Sequence, residues 1–194
     1  MSLMIDSSNC LLINGIEGVG VNTFSSILRD FFFRETKGKL TREDYNSDVI
    51  ITLLFDSQHP ACLEDLKLIN KTKKQLHKFR KNIKFVALIN RMDCGTESYN
   101  ILSEIVKKEY GRLFCDNNFK VDYILPFSCV YAKHLLSFYE KSVPIPDFFM
   151  RKIYYEYANK YSDNNNKIIN LLKQKKIEIL KFYNISILRK IYEK

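Results

Sequence analysis

The sequence predicts an α/β domain built on a doubly wound, mostly parallel sheet, and three observations support this fold class. Short apolar runs rich in β-branched residues alternate with longer segments whose apolar residues recur at helical spacing. The runs are continuous rather than alternating, which is typical of strands that are buried on both faces. The connections between them are polar and mostly short, as expected where each strand is followed by a helix that crosses back over the sheet.

The elements follow one another in alternating order. The predicted strands lie at 10–14, 49–55, 83–90 and 121–128, and the helices that follow them at 22–34, 62–82, 97–113 and 130–140. A fifth helix is expected within 142–161, because the prolines there fix a turn and start a helix. After a polar break, a last amphipathic helix is predicted at about 167–192. We therefore assign 1–161 to the α/β domain and 162–194 to a basic, helical tail.

The composition fits a folded intracellular protein. The 194-residue chain is 46% apolar and 13% aromatic, and its five cysteines show no C-x-x-C motif or His/Cys pairing at metal-ligand spacing. No window approaches the roughly 18 apolar residues of a membrane span, and the N-terminus lacks the layout of a signal peptide. We therefore expect a cytosolic or nuclear protein with no membrane contact and no metal site.

The net charge of +9 is concentrated towards the end of the chain. Residues 151–194 carry eleven Lys or Arg against four Asp or Glu. A basic segment of this kind can bind nucleic acid, contact an acidic protein surface or only improve solubility. The usual nucleic-acid-binding motifs are absent from the sequence, so direct contact with nucleic acid is an alternative that we do not expect.

The stretch INGIEGVGVNTF at 13–24 has the outline of a phosphate-binding loop between a strand and a helix. A working loop reads G-x-x-x-x-G-K-[ST], in which backbone N–H groups hold the phosphates, the lysine contacts the β and γ oxygens, and the hydroxyl binds Mg²⁺. Gly15 and Gly20 have the required spacing, but Val21 stands at the lysine position and Asn22 at the hydroxyl position. The loop has therefore lost the main fixed charge that would face a triphosphate.

The segment after the first helix is too short for the switch machinery of a GTPase. Such an enzyme needs a Thr-bearing loop and two further strands there, ending in a D-x-x-G motif that senses Mg²⁺ and the γ-phosphate. The interval 35–48 is almost entirely polar and contains no D-x-x-G. In the phosphate-binding loop at 13–24, Glu17 adds a negative charge that repels phosphate. We therefore predict that the chain is not an enzyme and has no catalytic residues.

The motif that would recognise a guanine base matches the GTPase pattern better than the phosphate-binding loop does. NRMD at 90–93 resembles the N-K-x-D motif whose Asn and Asp bind guanine, with Arg91 in place of the lysine, and SCV at 128–130 stands where its companion S-A-K would follow. Asn and Asp are also common caps between a strand and a helix, so we interpret them as structural. The predicted nucleotide-site remnant, which we expect not to bind, comprises Gly15, Gly18, Gly20, Val21, Asn22, Asn90 and Asp93.

The helix that follows the prolines carries more apolar surface than a single packing stripe needs. Tyrosine and phenylalanine are enriched at the centres of protein interfaces. One flank can therefore pack on the domain while the other contacts a partner; the alternative is that the tyrosines only cover a hydrated surface. The candidate interface residues are Phe148, Phe149, Ile153, Tyr154 and Tyr157.

Together these motifs resemble the centromere protein M family, the small pseudo-GTPases of the inner kinetochore. The resemblance rests on LLINGIEG, the connection without switch strands, DVIITLLFDS with the helix after it, and SVPIPDFFMRKI, and it covers most of 9–158. It implies a small-GTPase-like fold of the P-loop type without the switch strands, no cofactor, no small-molecule substrate and a nuclear, centromeric location. It also implies an assembly role, in which the chain stabilises a large helical-repeat partner similar to centromere protein I, together with centromere proteins H and K.

Two other functions stay open. ALINRMD and ILPFSCVYA also resemble a bacterial dynamin-like GTPase. The chain would then be a divergent GTP-binding regulator, a relative of dynamin-like or small GTPases, that uses the NRMD motif while a partner supplies the missing charge. The basic tail by itself would instead favour a nucleic-acid-binding module.

Overall fold

The computed structural model describes residues 2–4, 9–32, 48–60, 62–76, 82–93 and 98–192. Within these ranges the strands form one five-stranded sheet in which they lie side by side in chain order. The last four strands are parallel, and the first is antiparallel to the second. The strands are β1 (Ser2–Met4), β2 (Asn9–Gly15), β3 (Asp48–Asp56), β4 (Ile83–Asn90) and β5 (Tyr123–Pro126). The predicted α/β class with a parallel sheet is confirmed.

Eight α-helices lie in the described ranges, and the first continues as a π-helical segment, Leu28–Phe32. Four of them follow the parallel strands and four follow the sheet as a C-terminal group. The helices are α1 (Val21–Ile27), α2 (Leu63–Leu76), α3 (Tyr99–Asp116), α4 (Cys129–Lys141), α5 (Asp147–Ala158), α6 (Asn165–Gln174), α7 (Lys176–Phe182) and α8 (Ile185–Tyr192).

Helices cover both faces of the sheet, because successive strand residues point to opposite sides. On one face, the ring of Phe55 lies 5.0 Å from that of Tyr110 in α3, and the Tyr110 hydroxyl donates to the carboxylate of Asp65 in α2. On the other face, the hydroxyl of Thr52 is hydrogen-bonded to that of Tyr192 in α8, at 2.6 Å. The same tyrosine ring contacts α1, which in turn packs against α4. Thus α2 and α3 form one layer, and α1, α4 and α8 the other.

The parallel strands bring their carboxyl ends to one edge of the sheet. Gly15 of β2 lies beside Leu54 of β3, and Asp56 of β3 lies beside Asn90 of β4. In the central strand, the side chains from residue 49 to residue 56 are all buried, in agreement with its continuous apolar run. The loops that follow β2, β3, β4 and β5 therefore meet above a rigid core, where ligands bind in sheets of this kind.

Some predicted boundaries differ from the structure or cannot be compared with it. Strand β1 was not predicted, because three residues are too few to show a period of two. The strand predicted at 121–128 is limited to the four residues of β5. Two predicted helices were expected to end at residues 33–34 and 77–82. Of these residues the structure describes residue 82, and the others lie outside the described ranges. So does nearly all of the polar connection predicted at 35–48, of which only residue 48 is described.

The prediction of one continuous helix at about 167–192 is wrong, because the segment forms α6, α7 and α8. Asn184 adopts a left-handed conformation with φ of 60°, which separates α7 from α8. The side-chain amide of Asn184 donates to the carbonyl of Pro126 at 2.8 Å, and the hydroxyl of Tyr139 donates to the carbonyl of Leu172 at 2.9 Å. These contacts attach the three helices to the sheet and to α4. The division of the chain after residue 161 stays a prediction.

Candidate functional site

The glycine loop (residues 15–20) and the base motif (residues 90–93) meet at one buried side chain. Asn90, at the end of β4, is 4% exposed. Its Nδ2 atom donates to the carbonyl of Val19 at 2.6 Å, and its Oδ1 atom accepts from the backbone N–H of Cys129 at 2.9 Å. One amide therefore joins the glycine loop, the end of β4 and the first turn of α4. The structure brings together the two motifs that the sequence presents separately.

The glycines at the two ends of the loop are required by packing. Gly20 has φ of +95°, and a Cβ atom there would lie 2.7 Å from Nδ2 of Asn90. A Cβ atom on Gly15 would lie 2.7 Å from methyl groups of both Val19 and Val21. Contacts closer than about 3 Å between such atoms are strongly repulsive. Both glycines are thus explained by the turn itself, without a phosphate.

A concavity of about 500 Å³ lies beside the loop and the start of α1. Its described lining includes the side chains of Asn14, Glu17, Val21, Asn22 and Thr23, and neither lysine nor arginine is among these lining residues. Glu17 and Asn22 are exposed, whereas Val21 is half-buried and packs against the core. Among these lining residues Glu17 is the charged one, and its carboxylate repels a triphosphate.

Asp93, the other residue that matches the guanine-type pattern, is held by two elements of the second half of the chain. Its Oδ1 atom accepts a hydrogen bond from the hydroxyl of Ser128 at 2.6 Å. Ser128 caps α4, since its Oγ atom also accepts from the backbone N–H of Tyr131 at 3.1 Å. The ammonium group of Lys152 in α5 donates to the backbone carbonyl of Asp93. The turn that would contact a base is therefore fixed by α4 and α5.

Arg91, at the lysine position of the base motif, is directed towards β3. It has φ of +62°, and its guanidinium lies 2.8 Å from Oδ2 of Asp56. The Asp56 side chain is only 8% exposed, and its Oδ1 atom accepts from the backbone N–H of Gln58 at 2.9 Å. This ion pair links the ends of β3 and β4, which is a role in the fold rather than in contact with a ligand.

A half-buried carboxylate lies close enough to the same turn for the charge of Asp93 to affect it. Glu156 in α5 accepts hydrogen bonds from the hydroxyls of Tyr131 at 3.0 Å and Tyr183 at 3.2 Å. Burial raises the pKa of Glu156, the bond from Tyr131 and the charge of Lys152 lower it, and the charge of Asp93 raises it. Sequence reasoning missed this cluster, because its residues lie on α4, on α5 and just after α7 and form no local motif.

The candidate interface residues have different surroundings. Ile153 is 0% and Tyr154 3% exposed, so the prediction that they contact a partner is wrong for the described fold: both pack inside the domain. Phe148 is 69% exposed. Phe149 and Tyr157 are half-buried, and the Tyr157 hydroxyl donates to the carboxylate of Glu178 in α7 at 2.8 Å. Part of the wide apolar surface of α5 is used within the chain, where the ring of Phe149 packs against Tyr131 in α4 and that of Tyr157 against Phe182 in α7.

The remaining chemistry of the described chain is sparse. Across the described ranges no three His, Cys, Asp or Glu residues form a group that could hold a metal ion. None of the described helices is both long and apolar enough to cross a bilayer. Of the described cysteines, Cys129 is the buried one, and burial raises the pKa of its thiol. No protein-family model matches the chain, and no curated protein matches it.

Proposed function

We propose that this chain is a catalytically inactive, GTPase-like protein that acts as an assembly subunit of the inner kinetochore in the nucleus. One observation carries the proposal: Asn90, the first residue of the base motif, uses both ends of its amide to join the glycine loop to α4. At the other end of the same site, Val21 stands where a phosphate-binding lysine would be needed. A site with these properties stabilises the fold and lacks the charge for a nucleotide.

The topology supports a GTPase-like origin without the switch strands. The chain passes from β2 to β3 and from β3 to β4 in the same direction across the sheet, yet α1 and α2 lie on opposite faces. Two right-handed crossovers in one direction would place both helices on the same face. The observed placement is expected if the chain once left β2 towards the opposite edge, through further strands that are now missing.

The assembly role needs a surface that the folded chain does not bury. Phe148, at the start of α5, and Val143, in the preceding loop, are 69% and 48% exposed. These two side chains are apolar surface that the fold leaves available for a partner. A helical-repeat partner similar to centromere protein I, with centromere proteins H and K, is the partner that the family resemblance favours.

The rival function is a GTP-binding regulator, and one observation favours it. Asn90 and Asp93 lie at the carboxyl end of β4, and Ser128 orients the carboxylate of Asp93 through a 2.6 Å hydrogen bond. An oriented carboxylate beside an amide is the arrangement that a guanine edge needs. In that case a partner protein would supply the cation that the glycine loop lacks.

A nucleotide titration separates the two functions. Fluorescent GTP and ATP analogues with Mg²⁺ are titrated against the wild type, Val21→Lys and Asp93→Ala. We expect no binding to the wild type up to about 1 mM nucleotide, which corresponds to a free energy weaker than about −4 kcal/mol. Micromolar binding of GTP in preference to ATP, lost in Asp93→Ala, would instead establish the regulator and contradict our proposal.

Co-expression tests the assembly role directly. The chain is produced together with the helical-repeat kinetochore subunits of its own organism, and complexes are isolated through a tag on the helical-repeat subunit. We expect a stoichiometric complex and a higher soluble yield of the helical-repeat subunit when this chain is present. Recovery of that subunit at the same yield, without this chain bound, would contradict the assembly role.

A further inference from the structure

A second concavity lies apart from the glycine loop, where the end of α4 faces the junction between α6 and α7. It has a volume of about 380 Å³ and is lined by Phe138, Tyr139, Ser142, Lys173 and Lys176. The hydroxyl of Tyr139 donates to the carbonyl of Leu172 at 2.9 Å, which fixes α6 against α4. We call this concavity the basic pocket. Its shape is set by packing between helices rather than by a loop.

The two lysines of the basic pocket carry uncompensated charge. Neither Lys173 nor Lys176 has a carboxylate within ion-pair distance among the described residues. The acidic side chains nearest to them in the chain have other partners: Glu178 pairs with Lys175 at 2.8 Å, and Glu140 pairs with Arg189. Two lysines that line the pocket without a carboxylate partner in the described part of the chain favour an anionic ligand.

The lining of the basic pocket is apolar as well as basic, because it includes the rings of Phe138 and Tyr139. Within the pocket, the rings of Phe138 and Tyr139 are only half-buried. A ligand that combines negative charge with an apolar group would therefore bury surface that is now in contact with water.

A protein segment fits these features better than a nucleic acid does. Binding of single-stranded nucleic acid needs aromatic faces that are open for stacking. Here the ammonium group of Lys176 lies 5.3 Å from the centre of the Tyr139 ring and occupies its face.

We propose that the basic pocket docks an acidic segment of a protein partner. Carboxylates of the segment pair with Lys173 and Lys176, and an apolar side chain covers the ring of Phe138. The inference rests on the proposed assembly role, for which it names a contact surface and the chemistry of the bound segment. It places this contact on α4, α6 and α7, away from the glycine loop.

Fluorescence anisotropy with a short labelled peptide rich in Glu, Asp and Leu tests the pocket, with the full chain in about 0.1 M salt. In Lys173→Glu/Lys176→Glu we expect the affinity for the peptide to fall by at least about tenfold, because two attractive charges become repulsive. The matched control is Lys167→Glu/Lys181→Glu, which makes the same change in net charge at exposed positions of α6 and α7. We expect less than about a threefold loss there, since solvent screens the distant charges. Lys173→Gln/Lys176→Gln, which only removes the two charges, should lose less affinity for the peptide than Lys173→Glu/Lys176→Glu does.

Three results would overturn the proposal. The first is no binding of the peptide to the wild type at about 1 mM. The second is an equal loss of affinity in Lys173→Glu/Lys176→Glu and in the control variant Lys167→Glu/Lys181→Glu. The third is that a DNA oligonucleotide binds more tightly than the peptide and loses affinity in Lys173→Glu/Lys176→Glu. Circular dichroism verifies that all variants are folded. If the peptide test fails while the chain still forms the complex with the helical-repeat subunit, the assembly role stands and only this surface is wrong.

Discussion

The glycine loop and the base motif meet at one place in the fold, but their residues have different structural roles there. In the glycine loop, the backbone turn needs Gly15 and Gly20, whereas the lysine position holds a valine that packs on the core. In the base motif, the side chains of Asn90 and Asp93 each bind protein groups. A lysine that contacts only phosphate would have no such structural partner. The comparison teaches that, under the proposed GTPase-like origin, the positions that match the nucleotide-site pattern are those that also have a structural role in this fold.

The sharpest test of this comparison is Asn90→Ala, for which we expect the largest loss of stability. The substitution leaves the carbonyl of Val19 and the N–H of Cys129 without their bonds in a buried place. Each unsatisfied buried group costs about 1–3 kcal/mol, so the free energy of unfolding should fall by roughly 2–4 kcal/mol. Equilibrium unfolding in urea, followed by circular dichroism, measures it.

The matched control for this variant is Asn100→Ala, an exposed amide near the start of α3. Its free energy of unfolding should change by less than about 0.5 kcal/mol, as is usual for surface positions. If Asn90→Ala lowered the free energy of unfolding no more than the control does, the Asn90 amide would not stabilise the fold. Its position in the base motif would then favour contact with a ligand, as in the rival GTP-binding function.

A smaller effect is expected when the two glycines with positive φ are compared. Gly18 has φ of +79° with open space around it, and Gly20 has φ of +95° with Asn90 in the way. Alanine at either position pays about 1–2 kcal/mol for the left-handed backbone. Gly20→Ala should cost roughly 1–2 kcal/mol more than Gly18→Ala, because its Cβ displaces the Asn90 amide. Urea unfolding of the two variants measures the difference.

The same pair can be measured in the Asn90→Ala background to identify the cause. There the extra cost of Gly20→Ala over Gly18→Ala should fall towards zero, with a coupling energy of about 1 kcal/mol or more. An unchanged difference would mean that the strain at Gly20 lies in the backbone alone. The close contact between Gly20 and Asn90 would then contribute nothing to the cost of the Gly20→Ala substitution.

The parts of this fold that were predictable from sequence are those with local signals. The strand predicted at 83–90 agrees with β4 at both ends, and the one at 49–55 differs from β3 by one residue at each end. The two motifs were likewise recognised from spacing. The hydrogen bond from Asn90 to Val19 joins residues 71 positions apart, and the ion pair of Arg91 with Asp56 spans 35. No periodicity or spacing encodes such contacts, so the roles of these side chains could not be predicted.

The smallest expected effect concerns the support behind the base motif, and it depends on pH. Glu156 is half-buried and accepts hydrogen bonds from Tyr131 and Tyr183, and its partial burial raises its pKa even though Lys152 and the Tyr131 hydroxyl oppose the shift. Because its folded pKa exceeds its unfolded pKa, the folded state binds this proton more tightly. The contribution of Glu156 to stability is therefore complete below the unfolded pKa and is lost as the pH rises through the folded pKa.

Glu156→Gln removes this titration while it keeps the size of the side chain. We expect the stability of the variant, relative to wild type, to increase as the pH rises from the ordinary glutamate pKa through the raised one, and then to level off. Urea unfolding at a series of pH values measures that difference, and Glu104→Gln, whose side chain is 79% exposed, serves as the control. If the difference for Glu156→Gln fell with rising pH, the negative charge of Glu156 would be stabilised by Lys152 more than it is penalised by burial. An ion pair with Lys152 in the neighbouring turn of α5, rather than the hydroxyls of Tyr131 and Tyr183, would then hold the Glu156 carboxylate in place.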